Sequence, residues 1–317
     1  MTLRNYADHY GVEVDPKIRS EDVTIAFAFD AGYLPLFQVA AYSLAQSKNF
    51  LDSEVVIYTD DPVVADDPMV KITADRISML EGERRERLYG LAENSIHRED
   101  RAQWNKGTFL KWMMFEEQNN PTAVFLDVDM IFLRSFDEKL LQAATADFNA
   151  APQFMYRLLK DEAGEHLPLS RKWEVMNAAL AADYSGRLAT NVNSGLMVIR
   201  EPMLSRAFFD EITAFASQSR RTNEQSHFTA YFKKHPERLK MISYAFNHQD
   251  EYIGALRDWE AMKELMEKIS VIHYAGKPKP WHRRLSDVPR PTSSLWHWHA
   301  TASGADVRPL MGVPAVS

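Results

Sequence analysis

The chain has 317 residues, 45% of them hydrophobic and 26% charged, with a formal net charge of −7 and no cysteine. That fits one large α/β domain or two small ones, excludes disulfides, thiolate metal sites and cysteine nucleophiles, and gives no basic stripe for nucleic acid. No run of about 18 apolar residues predicts a transmembrane segment, and the polar N-terminus lacks an apolar signal core, so a cytoplasmic location is the expectation.

Residues 1–20 read as a lead-in. Val23 to Phe29 is a mostly apolar run that predicts the first strand, ending in Asp30-Ala31-Gly32-Tyr33. Pro35 then opens a helix, a favoured place for proline, with Leu36, Val39, Ala40, Ser43 and Leu44 on one face and an end near Ser47. Glu54 to Tyr58 predicts a second strand, followed by a turn at Asp60-Asp61-Pro62. This β-α-β opening predicts a parallel sheet with helices packed on it. Glu81 to Ala92 reads as a charged helix with a solvated face, and Gln103 to Glu117 as a longer one with Trp104, Phe109, Trp112, Met113 and Phe115 as its apolar positions. Lys106 and Lys111 lie on that second helix.

The stretch Ala123-Val124-Phe125-Leu126-Asp127-Val128-Asp129-Met130-Ile131-Phe132-Leu133 follows. Its apolar run predicts a buried strand. A buried strand cannot hold two unpaired carboxylates, so the acidic pair is expected where the strand emerges, at the carboxyl end of the sheet. Ligands of open α/β sheets bind at that end. Residues two apart in an extended chain point the same way, so Asp127 and Asp129 can face one site with Val128 turned to the core. Two such carboxylates repel unless a cation or a proton lies between them. A hard divalent ion, Mg²⁺ or Mn²⁺, answers that need; an exposed acidic turn is the plain alternative.

Asp137 to Ala144 predicts a short helix, Asp147 to Ala151 a strand, and Lys172 to Ala182 a helix within an irregular region suited to shaping a substrate pocket. Asn191-Val192-Asn193-Ser194-Gly195 leads into the apolar strand Leu196 to Ile199. Pro202 starts a helix through Ser217, and Glu224-Gln225 opens another. Val271-Ile272 delivers His273, followed by Gly276 and by Lys277 and Lys279, each before a proline. A mobile tail is expected from about Thr301.

Three segments carry a resemblance: Val-Phe-Leu-Asp-Val-Asp, Asn-Ser-Gly-Leu-Met-Val-Ile, and His-Tyr-Ala-Gly-Lys-Pro-Lys-Pro-Trp. In this order the chain resembles glycosyltransferase family 8, the family of glycogenin and bacterial lipopolysaccharide galactosyltransferases, from about Val23 to about His282. Asp-x-Asp is widespread; the His-x-x-Gly-x-x-Lys-Pro-Trp segment is the more specific part. The resemblance implies a single GT-A domain, spanning 21–300 here. It also implies a UDP-sugar donor, Mn²⁺ as cofactor, a hydroxyl acceptor and transfer with retention.

It further implies roles. Asp127, Asp129 and His273 would hold the metal, and imidazole with carboxylates suits Mn²⁺ better than Mg²⁺. Gly276 would let the backbone approach the diphosphate, and Lys279 would place a charge on it. Ala28 and Asp30 match positions that cradle the uridine. Lys111 matches a basic residue contacting phosphate or sugar, with Lys106 as its rival. Asn193 matches a sugar-binding asparagine, and Glu224-Gln225 matches the acidic-Gln pair facing the reacting carbon. Asn193 could instead cap a turn, and Glu224 could be an ordinary first-turn helix acid.

The sequence departs from the family pattern at Gly32, where a polar residue is common, and at Gln153, where an Asp commonly holds donor-sugar hydroxyls. It departs again at Glu224, where Asp is usual; the extra methylene moves the carboxylate by about one bond length. The last two changes lie at the sugar and leave its identity open. Three other classes share parts of this pattern. A haloacid-dehalogenase-type phosphatase has its Asp-x-Asp near the N-terminus and later lysine and acidic motifs that are not evident here. Nucleotidylyltransferases start with a glycine-rich loop and Arg, which Asp30-Ala31-Gly32-Tyr33 lacks. A carbohydrate- or nucleotide-binding module without turnover would not need all three metal ligands.

Overall fold

The computed structural model of the protein describes residues 22–95, 102–116, 118–153, 158–184, 191–282 and 291–311. The lead-in 1–20 lies outside them. Ten strands are described: β1 Val23–Ala28, β2 Glu54–Thr59, β3 Arg76–Met79, β4 Thr122–Leu126, β5 Met130–Phe132, β6 Phe148–Gln153, β7 Asn191–Arg200, β8 Leu239–Met241, β9 His248–Gln249 and β10 Val271–His273. Seven form one sheet in the order β3-β2-β1-β4-β7-β6-β8, and three form a second, β5-β10-β9.

The large sheet is mostly parallel, as the β-α-β opening predicts. β1 runs parallel to β2 and β4, β2 to β3, and β6 to β8, while β7 is antiparallel to both β4 and β6. That one reversed strand matters for the site. β4 ends at Leu126 opposite Leu196, so the earlier β7 residues Asn193, Ser194 and Gly195 extend past the end of β4.

Successive side chains of a strand point to opposite faces, and the two cores divide accordingly. Ile25, Phe27, Val55, Ile57, Val124, Leu126, Leu196 and Val198 enter one core. Ala26, Val56, Tyr58, Ala123, Phe125, Met197 and Ile199 enter the other. The first core is closed by the Leu34–Gln46 helix, the small sheet and the helices Trp259–Lys268 and Pro291–Ser303. The second is closed by Gly82–Glu93, Ala102–Leu110, Arg206–Ser217 and Glu224–Lys234. Burial on both faces is why the central strands read as unbroken apolar runs.

Several elements differ from the sequence reading. The run Ala123 to Leu133 is two strands in two sheets, joined by a bend at Asp127-Val128-Asp129. Periodicity cannot show this, because β4 and β5 are both wholly buried. The helix expected over 103–117 is an α-helix only to Leu110, then tightens into a 3₁₀ turn, Lys111–Phe115, with all five residues buried. The turn expected at Asp60-Asp61-Pro62 begins two short helices, Pro62–Asp66 and Pro68–Thr73, capped by Asp61 and Asp67. Pro202 opens only a 3₁₀ turn, and Ser205 caps the Arg206–Ser217 helix through the Phe208 N–H. Beyond Thr301 the helix continues to Ser303, and Val307 and Leu310 pack partly buried against the first core.

Candidate metal and donor site

β1 and β4 are parallel neighbours, so their carboxyl ends place Asp30 and Asp127 at the same edge of the sheet. The Asp127 N–H donates to the Gly195 carbonyl at 2.7 Å, and the chain then turns away toward β5. Val128 is turned to the core at 7% exposure, leaving both carboxylates to one side. β10 pairs antiparallel with β5, His273 against Met130, which brings the imidazole to the bend. The Tyr274 N–H donates to the Asp129 carbonyl at 2.9 Å and locks the two segments together.

Each carboxylate divides its oxygens between two partners. Asp127 Oδ1 meets Lys111 Nζ at 3.0 Å, and Asp127 Oδ2 lies 3.8 Å from His273 Nε2. Asp129 Oδ2 meets Lys279 Nζ at 2.8 Å, and Asp129 Oδ1 lies 3.1 Å from His273 Nε2. Asp127, Asp129 and His273 each offer an atom within 4.8 Å of the others. Two hard oxygens and one imidazole nitrogen form a donor set suited to Mn²⁺ or Mg²⁺.

Lys111 also reaches Glu224 Oε1 at 3.2 Å, and the Ser194 hydroxyl donates to that oxygen at 2.7 Å. Glu224 Oε2 is buried with no hydrogen-bond partner. With His273 neutral, as a metal ligand must be, three carboxylates (Asp127, Asp129, Glu224) face two ammonium groups (Lys111, Lys279). The surplus is negative, so a cation improves the balance. The residues present fit a divalent metal.

The titration behaviour follows this pairing. Burial alone raises Asp129, but the charges of Lys279 and His273 outweigh it and hold the group well below the usual carboxylate range. Asp127 is raised: burial dominates, Lys111 offsets part of it, and the Asp129 charge adds to it. Burial works against the Lys111 charge, yet Asp127 and Glu224 outweigh it and raise that group. Tyr33, which the sequence reading passed over, is pushed up to about 12 by burial and by the fields of Asp129, Asp30 and Asp127.

The other predicted residues fall as follows. Ala28 ends β1, half-buried, and Asp30 caps the following 3₁₀ turn through Gly32 N–H at 2.9 Å. Gln225 Oε1 accepts from the Ser194 N–H at 2.9 Å. Asn193 is buried and its side-chain oxygen accepts from Gly195 N–H at 2.9 Å. Gln153 ends β6 in register with Asn191; among the described residues no hydrogen bond ties its side chain to the carboxylates. Gly276 lies against Glu251, where a Cβ would come within 2.5 Å of the Glu251 Oε2. Lys106 pairs with Glu93 at 3.0 Å and lies over the Tyr89 ring, away from Asp127. Ser194 and Asn247 were missed. Asn247 belongs to a run, Asn247-His248-Gln249-Asp250, that is polar yet no more than 2% exposed. Such a run reads from sequence as a surface loop.

A parallel sheet reversed by one strand, with an acidic pair and a histidine at its carboxyl edge, defines a glycosyltransferase with the GT-A fold. The family model described as glycosyl transferase family 8 matches residues 24–284, and the chain belongs to that family. The match sets aside the phosphatase alternative. Among solved structures, the galactosyltransferase LgtC in complex with donor and acceptor sugar analogs superposes with a TM-score of 0.55 at 15% identity. The match covers 93% of this chain and 97% of that one. The apo-form glycosyltransferase GlyE of Streptococcus pneumoniae TIGR4 superposes with a TM-score of 0.57 at 14% identity. That match covers 94% of this chain but 66% of GlyE, so the chain spans just under two thirds of that relative. No curated protein matches the chain. No helix among the described residues is long and apolar enough to cross a membrane.

Proposed function

We propose that this glycosyltransferase moves a hexose from a UDP-sugar to a hydroxyl acceptor with retention, using Mn²⁺ held by Asp127, Asp129 and His273. The observation that carries this reading is the convergence of those three donors within 4.8 Å at the sheet edge, with Lys279 and Lys111 on their outer oxygens. When bound, the metal supplies Lewis-acid stabilisation of the charge that develops on the departing diphosphate.

The chain's own residues do the rest. Lys279 holds a point charge beside the diphosphate, and the bend at Gly276 carries the backbone past it. Asp30, with Ala28 beside it, accepts hydrogen bonds from the uracil. Asn193, Gln153 and Lys111 face the sugar and phosphate. Glu224 and Gln225 lie under the reacting carbon. The Gln225 side-chain oxygen is already engaged by the Ser194 N–H at 2.9 Å, and an amide is a poor nucleophile. Front-face attack, with a donor phosphate oxygen accepting the acceptor's proton, therefore fits better than a covalent adduct on Gln225. The buried, unpartnered Glu224 Oε2 offers negative charge to an oxocarbenium-like sugar. The reading keeps the cytoplasmic setting expected from the sequence.

The test is UDP release from a panel of UDP-sugars with Mn²⁺, comparing wild type with the Asp127→Ala/Asp129→Ala variant. The expected result is release from one sugar that vanishes with chelator and drops at least about 1,000-fold in the variant. Equal release by the variant, or turnover only of a donor with another nucleotide, overturns the reading.

A further inference from the structure

A neutral imidazole can give a metal its Nε2 lone pair only when its proton is on Nδ1. The partner of Nδ1 fixes that choice. In this protein His273 Nδ1 lies 2.9 Å from Asn247 Oδ1, with both residues buried. An asparagine amide has a donor end and an acceptor end, so the question becomes what holds Asn247 with its oxygen toward the ring.

The answer starts at the backbone. A peptide N–H can only donate, and the Gly195 N–H donates to Asn193 Oδ1 at 2.9 Å. That contact orients the Asn193 amide. The same Asn193 oxygen accepts from Asn247 Nδ2 at 2.9 Å. With its amino end committed to Asn193, Asn247 turns its oxygen to the imidazole. Reversing either amide would set donor against donor or acceptor against acceptor in a buried site, where unmatched polar groups are strongly disfavoured. Gly195 enters a second time. A Cβ there would lie 2.3 Å from His273 Cε1 and 2.7 Å from Nδ1, so the ring packs on a bare α-carbon.

We propose that Asn247 is a positioning residue of the metal centre: oriented by the Gly195 N–H through Asn193, it holds His273 with its proton on Nδ1, so that Nε2 presents its lone pair between Asp127 and Asp129. The inference rests on the metal reading above and extends it beyond the three ligands. It also assigns Asn193 a second duty. Its oxygen is occupied by Gly195 and Asn247, so only its N–H groups remain for a donor-sugar oxygen.

Two measurements test this. In wild type labelled at histidine nitrogen, ¹H–¹⁵N correlations should show a proton on His273 Nδ1 that exchanges slowly with solvent, as a buried hydrogen bond to Asn247 Oδ1 requires. In Asn247→Leu that protection should be lost. Mn²⁺ titration followed by electron paramagnetic resonance should then show affinity about 10–100-fold weaker for Asn247→Leu. Asn247→Asp keeps an acceptor for Nδ1–H but sets a carboxylate oxygen against Asn193 Oδ1, so it should recover only part of that loss. A wild type with no proton on Nδ1, or Mn²⁺ affinity in Asn247→Leu within about twofold of wild type, overturns the proposal. If Asn247→Leu does not fold, the wild-type Nδ1 proton and Asn247→Ser, which also withdraws the acceptor, decide it. A wild type that binds no Mn²⁺ overturns the metal reading itself, and the Nδ1 proton still decides the hydrogen-bond chain.

Discussion

At the end of β4 both carboxylates have cations beside them; at the ends of β1 and β2 the carboxylates do not. Asp127 and Asp129 carry Lys111, Lys279 and His273 on their oxygens. Asp30 and Asp61 instead take backbone N–H groups, those of Gly32, Ala31 and Val63, and Asp60 takes the Tyr89 hydroxyl. Among the described residues no ion pair joins this second cluster. The pKa directions follow: Asp129 is held low by its cations, while Asp30 is raised by burial and further by Asp60 and Asp61, against the pull of the Gly32 N–H. The difference teaches what each end is suited to bind. On the proposed reading, the first keeps charge in place for a cation and a diphosphate. The second presents an acceptor suited to a neutral, hydrogen-bonding ring.

The comparison can be broken most forcefully at Lys111. Lys111 is 5% exposed, and its ammonium is shared by Asp127 and the 2% exposed Glu224. Removing one partner of a buried charge network leaves the others uncompensated, so Lys111→Met should lower stability by about 3–5 kcal/mol in a urea titration. A loss below about 1 kcal/mol would show that Asp127 and Glu224 do not depend on it.

Asp129 and Asp30 should respond to pH with opposite signs. A carboxylate whose folded pKa is lowered contributes stability above the unfolded value near 3.9, and that stability is lost as pH falls through the folded pKa. In metal-free protein, Asp129→Asn should therefore destabilise by about 2 kcal/mol at pH 7, with the difference shrinking in acid. Asp30, being raised, opposes folding where it is ionised and ceases to do so as pH falls through its folded value. Asp30→Asn should be neutral or slightly stabilising at pH 7. Unfolding midpoints for both variants at pH 7, pH 4 and pH 3 check the two signs, the Asp129 difference shrinking only below about pH 4.

Two glycines sharpen the picture further. Gly195→Ala forces a Cβ against a packed imidazole ring, 2.3 Å from Cε1, and should destabilise by about 1–3 kcal/mol while weakening Mn²⁺ binding. Gly276→Ala meets chiefly the Glu251 carboxyl group, which can swing away, with the Glu251 Cβ at 3.3 Å, and its effect on folding should be smaller. Equal losses would mean that His273 gives way as readily as Glu251. The smallest effect is expected at Lys106, whose pairing with Glu93 is a partly exposed one; Lys106→Met should change stability by no more than about 0.5 kcal/mol.

The sequence by itself determined the strand-helix alternation, the acidic pair, the histidine and the family. Apolar runs mark strands buried on both faces, and Asp-x-Asp with His273 and Lys279 is a local chemical signature that survives without coordinates. Tertiary structure decided what depends on two distant segments meeting. The reversal of β7 brings Ser194 and Gly195 beside Asp127, and no one-dimensional pattern states a strand's direction in a sheet. That Lys111, at the start of a 3₁₀ turn, meets two carboxylates while Lys106 pairs with Glu93 is likewise a matter of tertiary contacts. Asn247 was hidden because a polar residue in a polar run looks solvated. It became visible only when β9 paired with β10 beside His273, where a buried amide must find both a donor and an acceptor.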